Sequence, residues 1–183
     1  MIQFVLIAVV SADGFIARHA DDVPAAWASA EEQAVFAASM AEISWSFMGR
    51  NTHRNALKAE RRRVIFSRRV DAPRWEGERW LWVNPARTGL KEMIALTGAT
   101  GRCAVLGGTG VYDWFLEHAR YDTVDLSIEP IRFEGGLQLF SRVAWHELER
   151  RLAESGLEPG EDRILNAGGT RHRTWRRARP LIG

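Results

Sequence analysis

Residues 105–130 read VLGGTGVYDWFLEHARYDTVDLSIEP. The segment opens as a short apolar strand, breaks at Gly107-Gly108, and continues as an amphipathic helix from about Val111 to Ala119. It resumes at Tyr121 as an alternating strand with Pro130 near its end. Strands that alternate with helices point to an α/β sheet. The Gly107-Gly108-Thr109-Gly110 junction has two readings. It is a tight turn, or it lets bare backbone N–H groups approach a phosphate at a helix start.

The same alternation extends outward from this stretch. Residues 2–10 form a near-continuous apolar run, suited to a central strand buried on both faces. Ser11-Ala12-Asp13-Gly14 breaks it, and residues 15–17 resume it briefly. Ser29 is a helix cap with Glu31 and Glu32 in the first turn, and Glu32 completes a capping box. That helix is expected to run to about Glu42, with Val35, Phe36, Met40 and Ile43 toward the core. Residues 45–48, 63–67, 80–83 and 103–106 read as further strands, and 51–58 and 88–97 as helices. Residues 137–140 are expected to continue the sheet. Residues 163–166 and 170–175 flank Ala167-Gly168-Gly169 as a hairpin. The pattern predicts a mostly parallel central sheet with antiparallel strands added at one C-terminal edge. With no internal repeat, low-complexity stretch or linker, residues 1–183 read as one domain.

Composition narrows the class. Hydrophobic residues make up 46% and charged ones 26%, an ordinary globular balance, and the formal net charge of +2 demands no polyanionic partner. The cations are nearly all arginine, with Lys58 and Lys91 the only lysines, and they cluster at 61–63, 68–69 and 171–179. Cys103 is the one cysteine and sits in an apolar strand, so a buried thiol and a reducing compartment are expected. The apolar run at 2–10 is too short to span a bilayer and lacks the flanks of a signal peptide. The expectation is a cytoplasmic protein without a membrane partner. His19, His53, His118, His146 and His172 show no metal-ligand spacing, so no metal is expected.

Three strand ends carry ligand-binding residue types. Met48-Gly49-Arg50-Asn51-Thr52 joins a glycine, a guanidinium and a hydroxyl at a helix start. Phe66-Ser67-Arg68-Arg69 ends a strand with a hydroxyl and two guanidiniums. Gly107 to Gly110 is the third. Ligands of parallel sheets bind at the carboxyl ends of the strands, and three such ends suit an extended ligand with several phosphates. The spacing fits neither a Walker loop nor a Rossmann fingerprint.

The order of VVSADGFIA (9–17), FMGRNTH (47–53), VIFSRR (64–69), VLGGTGVYDWFL (105–116) and YDTVDLSIEPIRFEGGLQLF (121–140) resembles the dihydrofolate reductase superfamily. It is most similar to the bacterial branch that includes the C-terminal reductase domain of riboflavin biosynthesis. The resemblance implies an α/β, three-layer dihydrofolate reductase-like fold with helices on both faces of the sheet. It also implies NADPH as cofactor, bound across the strand ends. Gly49, Arg50, Asn51 and Thr52 match the segment that holds its phosphates. Ser67 and Arg68 match the strand end that meets the 2′-phosphate, and Arg69 is placed to assist. Gly107, Gly108, Thr109 and Gly110 match the loop beneath the pyrophosphate and nicotinamide ribose, and Tyr112 an aromatic residue near the nicotinamide. Asp13 and Gly14 match the loop that closes over the ring, and Ala8 a small residue beside it.

The implied activity is hydride transfer to a small pteridine-like or pyrimidine-like heterocycle. A carboxylate on the first helix binds the pteridine and assists protonation in dihydrofolate reductases, and here that role falls on Glu31 or Glu32. Both also suit a helix N-terminus for purely electrostatic reasons. Trp27 is either a substrate wall or a helix-entry staple. The partner is a small-molecule substrate, not a nucleic acid. The resemblance leaves room for a homodimer paired through a late strand, as in riboflavin-type relatives. Two other functions compete. One is a diverged relative that binds a nucleotide without reducing anything. The other is a nucleic-acid module using Arg171, Arg173, Arg176, Arg177 and Arg179 with Trp175.

Overall fold

A computed structural model describes residues 1–56 and 59–177. The end of the helix expected over 51–58 and the Arg179 of the basic cluster lie outside the described residues.

Six parallel strands form the centre of the sheet. In sequence they are β1 (Ile2–Ser11), β3 (Ile43–Gly49), β4 (Arg63–Phe66), β6 (Trp80–Val83), β7 (Gly101–Val105) and β8 (Thr123–Glu129). In space they run β8-β1-β7-β3-β4-β6. β1 is apolar from Phe4 to Val10 because it pairs with β7 on one side and β8 on the other, and helices cover both its faces. The expected antiparallel addition at the C-terminal edge is present: β11 (Arg171–Arg177) pairs with β8, and β10 (Leu157–Ile164) pairs with β11.

Two strand readings change. β5 (Arg74–Glu76) adds a short antiparallel strand at the opposite edge, where its three exposed residues leave no burial pattern in the sequence. Residues 137–140 do not continue the main sheet. Leu137–Gln138 forms β9, which pairs with β2 (Phe15–Ala17) in a separate ribbon, while Leu139 and Phe140 turn into the core.

α1 (Ala30–Ala41) and α2 (Arg50–Asn55) lie on one face of the sheet, and α3 (Leu90–Thr97), α4 (Thr109–His118) and α5 (Leu148–Glu154) supply the other. The main core is on the second face. There Phe4, Leu6, Phe47, Phe66 and Leu126 meet Met93, Phe115, Leu148 and Leu152. Phe115 is fully buried, with ring centroids 5.1 Å from Phe4 and 5.2 Å from Phe47.

The first face is different. Its apolar cluster among the described residues is small: Val5, Ile7, Met40 and Ala104, with Ile43 and Leu106 beside it. Phe36, expected in the core, is 39% exposed. The correction follows from what α1 covers. Under its N-terminal half the sheet presents polar side chains, so the buried position there is Glu32, not an apolar residue.

Candidate active site

The three ligand-type strand ends emerge side by side. Gly49 lies opposite Phe66 in the β3–β4 register, and the Gly49 N–H donates to the Gly107 carbonyl at 2.7 Å. Arg50, Ser67-Arg68 and Gly108 therefore leave the sheet at one carboxyl edge.

The turn reading of the glycine junction holds at Gly107. Gly107 has φ +82°, and a Cβ there would sit 2.5 Å from Cε2 of Tyr112. The turn itself demands that glycine. Gly108, joined to Gly107 by a cis peptide, caps α4 without a side-chain acceptor. A Cβ on Gly108 would find only Ile16 at 3.8 Å, and one on Gly110 nothing within 4 Å. Gly108 and Gly110 thus leave open space at the positive end of the helix, where the Val111 and Tyr112 amides already donate to the Gly108 carbonyl at 2.9 and 3.2 Å. Thr109 is turned aside, its hydroxyl donating to the Gln138 carbonyl.

The basic residues flank this opening. Arg50 and Thr52 are half-buried at the start of α2, and Asn51 is exposed. Ser67 is buried, and its Oγ accepts the Arg69 N–H at 3.3 Å. Arg68 and Arg69 are exposed and make no side-chain ion pair among the described residues. Tyr112 is buried beneath the loop and donates its hydroxyl to the Ile7 carbonyl at 3.1 Å, so it supports the floor of the opening. Ala8 is the next residue of β1, half-buried and opposite Leu126.

Asp13 and Gly14 close the loop after β1. The Asp13 carboxylate accepts from the Ser11 hydroxyl and from the Phe133 and Glu134 amides at 2.6, 3.1 and 2.9 Å. Desolvation works against its charge, but these donors outweigh it and hold Asp13 at about 2. Gly14, at φ +88°, lies against Trp145, whose ring a Cβ would meet at 2.6 Å. Both residues shape the loop through these contacts.

On the far side of β1 the structure separates the two candidate acids. Glu31 is exposed and accepts from Nδ2 of Asn166 at 3.1 Å. Glu32 points inward and is 4% exposed. The expected capping box is only half formed. Ser29 Oγ accepts the Glu32 N–H at 3.3 Å, but the Ser29 N–H donates to Oε1 of Glu129 at 2.7 Å. Glu129 thus takes the amide that a capping box assigns to Glu32, and the Glu32 carboxyl is left to face the sheet. The other oxygen of Glu129 accepts from the Thr170 hydroxyl at 2.7 Å.

Burial pushes Glu32 up to about 7, and the Glu129 carboxylate beside it pushes the same way, against a hydrogen bond from Ser127. A carboxyl poised there holds or releases a proton near neutral pH. Trp27 stands at the entry to α1, edge-on to Phe133 with centroids 5.0 Å apart, and its Nε1 is buried without a partner among the described residues. Phe36 follows Glu32 one helical turn later and leaves its ring accessible.

Ser127, Glu129 and His172 are buried polar residues on the Glu32 side of the sheet that motif reading passed over. Their signal is the alternation in β8, where Asp125, Ser127 and Glu129 put polar groups on one face and all three are buried. The C-terminal arginines are largely engaged within the chain. Arg171 pairs with Asp162, Arg173 with Glu149 and Asp162, and Arg177 donates to the Ser155 and Tyr121 carbonyls. No helix of the described residues is long and apolar enough to cross a membrane, and no group of three His, Cys, Asp or Glu among them could hold a metal ion.

No family model and no curated protein sequence matches this chain. Solved structures do. A protein from Shewanella sp. PV-4, provisionally named as a riboflavin biosynthesis protein, matches with a TM-score of 0.69 at 18% identity. The match covers 97% of this chain and 99% of that one. Dihydrofolate reductase from Enterococcus faecalis, in complex with NADP(H) and RAB-propyl, matches with a TM-score of 0.64 at 17% identity, over 97% of each chain. The chain has the dihydrofolate reductase-like fold that the sequence resemblance implied.

Proposed function

We propose that this chain is an NADPH-dependent reductase of a small pteridine-like or pyrimidine-like heterocycle, with Glu32 as the acid that binds and protonates the substrate. The observation that carries this reading is a division of labour along one sheet edge. A helix start without a side-chain cap, and arginines with no side-chain ion pair among the described residues, lie at the ends of β3, β4 and β7, and a buried carboxyl pushed up to about 7 lies across β1 from them. From β4 to β1 is three strand spacings, roughly 14 Å, a span suited to an extended dinucleotide.

The residues fit that cofactor. The α4 amides and Gly110 leave room for a pyrophosphate, Arg50 and Thr52 flank it, and Arg68 with Ser67 suits a 2′-phosphate through charge-assisted hydrogen bonds. When bound, the cofactor supplies the hydride. Trp27 and the accessible ring of Phe36 wall the substrate side. Glu32, protonated near neutral pH, can hydrogen-bond a ring nitrogen and then release its proton to it.

Calorimetric titration with NADPH and NADH, followed by NADPH oxidation against pteridine and pyrimidine substrates, tests the reading. NADPH should bind selectively, and Arg68→Ala should weaken it by about 2 kcal/mol while leaving NADH nearly unchanged. Equal losses for both cofactors would remove the 2′-phosphate assignment. Failure of both to bind would remove the reductase.

A further inference from the structure

α2 carries Arg50 and Thr52, yet it is six residues long and none of them is fully buried. A helix that short is not stable by itself in water. The side chain that ties it to the sheet is His53. Its ring stands edge-on to Trp80 and Trp82 of β6, with centroids 4.8 and 5.3 Å apart. Both indoles are held through their own N–H groups. Trp80 donates to the Arg61 carbonyl at 3.2 Å, and Trp82 to Oε2 of Glu76 at 2.8 Å. Nδ1 of His53 lies 3.0 Å from Nη1 of Arg63, a buried residue opposite Trp80 in the β4–β6 register.

That last contact fixes the state of the ring. A guanidinium only donates, so Nδ1 must offer its lone pair, and the one proton of a neutral His53 sits on Nε2. A second proton, on Nδ1, would set two N–H groups and two positive charges against each other. Burial lowers the proton affinity of His53, and Arg63 from β4 works the same way. Glu76 from β5 opposes them, and β6 presents two uncharged indoles.

We propose that His53 is a positioning residue: in its neutral form it tethers α2 to β4 and β6, and so holds Arg50 and Thr52 at the strand end where the cofactor's pyrophosphate would lie. The functional meaning rests on the reductase reading, and the tether itself does not. His53 acts through the helix that it holds, not on the ligand. The sign of its pH dependence follows. A released ring takes up a proton more readily than the tethered one, so acid favours release. The tether is complete above the ordinary histidine value of 6.5 and weakens as the pH falls below it.

The first test uses the full chain without ligand. Nitrogen-15 NMR of labelled histidine should find His53 neutral at pH 7, with its proton on Nε2. A proton on Nδ1, or a charged ring at pH 7, overturns the proposal. Two variants then separate the ring from its acceptor. His53→Phe keeps an aromatic ring and removes the acceptor. His53→Asn places a carbonyl oxygen near the Nδ1 position and does not titrate. In His53→Phe the Arg54, Asn55 and Ala56 amides should exchange with solvent about fivefold faster than in the wild type, the effect of losing one ordinary hydrogen bond. In His53→Asn the rates should stay close to wild type. Equal rates in the wild type and His53→Phe overturn the proposal.

If His53→Phe fails to fold, pH carries the test. Between pH 7 and 5.5, wild-type exchange should accelerate relative to the intrinsic rates, and His53→Asn should not. The same response in both overturns the proposal. Calorimetry reads the function. His53→Phe should weaken NADPH and NADH alike, by about fivefold, because both carry the pyrophosphate, whereas Arg68→Ala separates the two. Faster exchange with unchanged affinity for both cofactors overturns the positioning role. A wild type that binds neither cofactor removes the reductase reading, and the exchange rates still decide the tether.

Discussion

The two faces of β8 are made by alternate residues of one strand and obey different rules. Val124 and Leu126 enter the main core, where Phe115 packs between Phe4 and Phe47. Asp125, Ser127 and Glu129 enter the space under α1, where hydrogen bonds replace packing. One face contributes stability through buried apolar area. The other holds titratable groups out of water. The contrast teaches where a substitution should cost stability and where it should gain it.

Three substitutions test that contrast. On the apolar face, Phe115→Ala should cost about 3–5 kcal/mol in denaturant unfolding, because a fully buried ring leaves a cavity. A loss under about 1 kcal/mol would mean the core on that face closes around the gap.

On the polar face, Glu32→Gln should do the opposite. The folded chain holds Glu32 protonated up to about 7, whereas an unfolded glutamic acid ionises near 4.5. Between those values the folded state binds more protons, so the wild type loses stability as pH rises through this window. Glutamine does not titrate. Equilibrium unfolding should show little difference at pH 4.5 and a gain of up to about 3 kcal/mol for the variant at pH 8. Turnover should fall at least about a hundredfold. A gap that does not widen with pH would break the contrast.

Glu129→Gln gives the smallest effect and sharpens the picture. Glu129 accepts from both the Ser29 amide and the Thr170 hydroxyl, and an amide can match only one of these donors. The variant should lose about 1–2 kcal/mol by chemical denaturation. It should also move the Glu32 carboxyl midpoint downward in NMR titration, since it removes a neighbouring negative charge. A rise in stability would place Glu129 with Glu32 as a group held against its preference.

The main architecture was legible because its signals are local. An apolar run marks β1, glycine pairs mark the ends of strands, and Ser29 marks a helix start. The residues of the proposed cofactor side stand out for the same reason, since they follow strands directly in the sequence. The substrate side was not. Glu32 and Ser127 meet only after the chain has crossed the sheet, and nothing near Glu32 in sequence says that Glu129 will take the Ser29 amide. Phe36 was read inward because amphipathic patterning assumes an apolar surface beneath the helix, and here that surface is polar. His172 carries no motif. It reaches Ser127 only through the β8–β11 register.

The place of β1 in the sheet also bears on the order of synthesis. Ile2 pairs with Gly101, and Ser11 with Glu129, so both neighbours of this strand lie about a hundred residues downstream. At translation rates of about 5–20 residues per second, the Ile2–Val10 run is in the nascent chain for several seconds before its partners exist. During that interval it is an apolar segment with unsatisfied edges, the kind of surface that chaperones hold and that neighbouring nascent chains can capture.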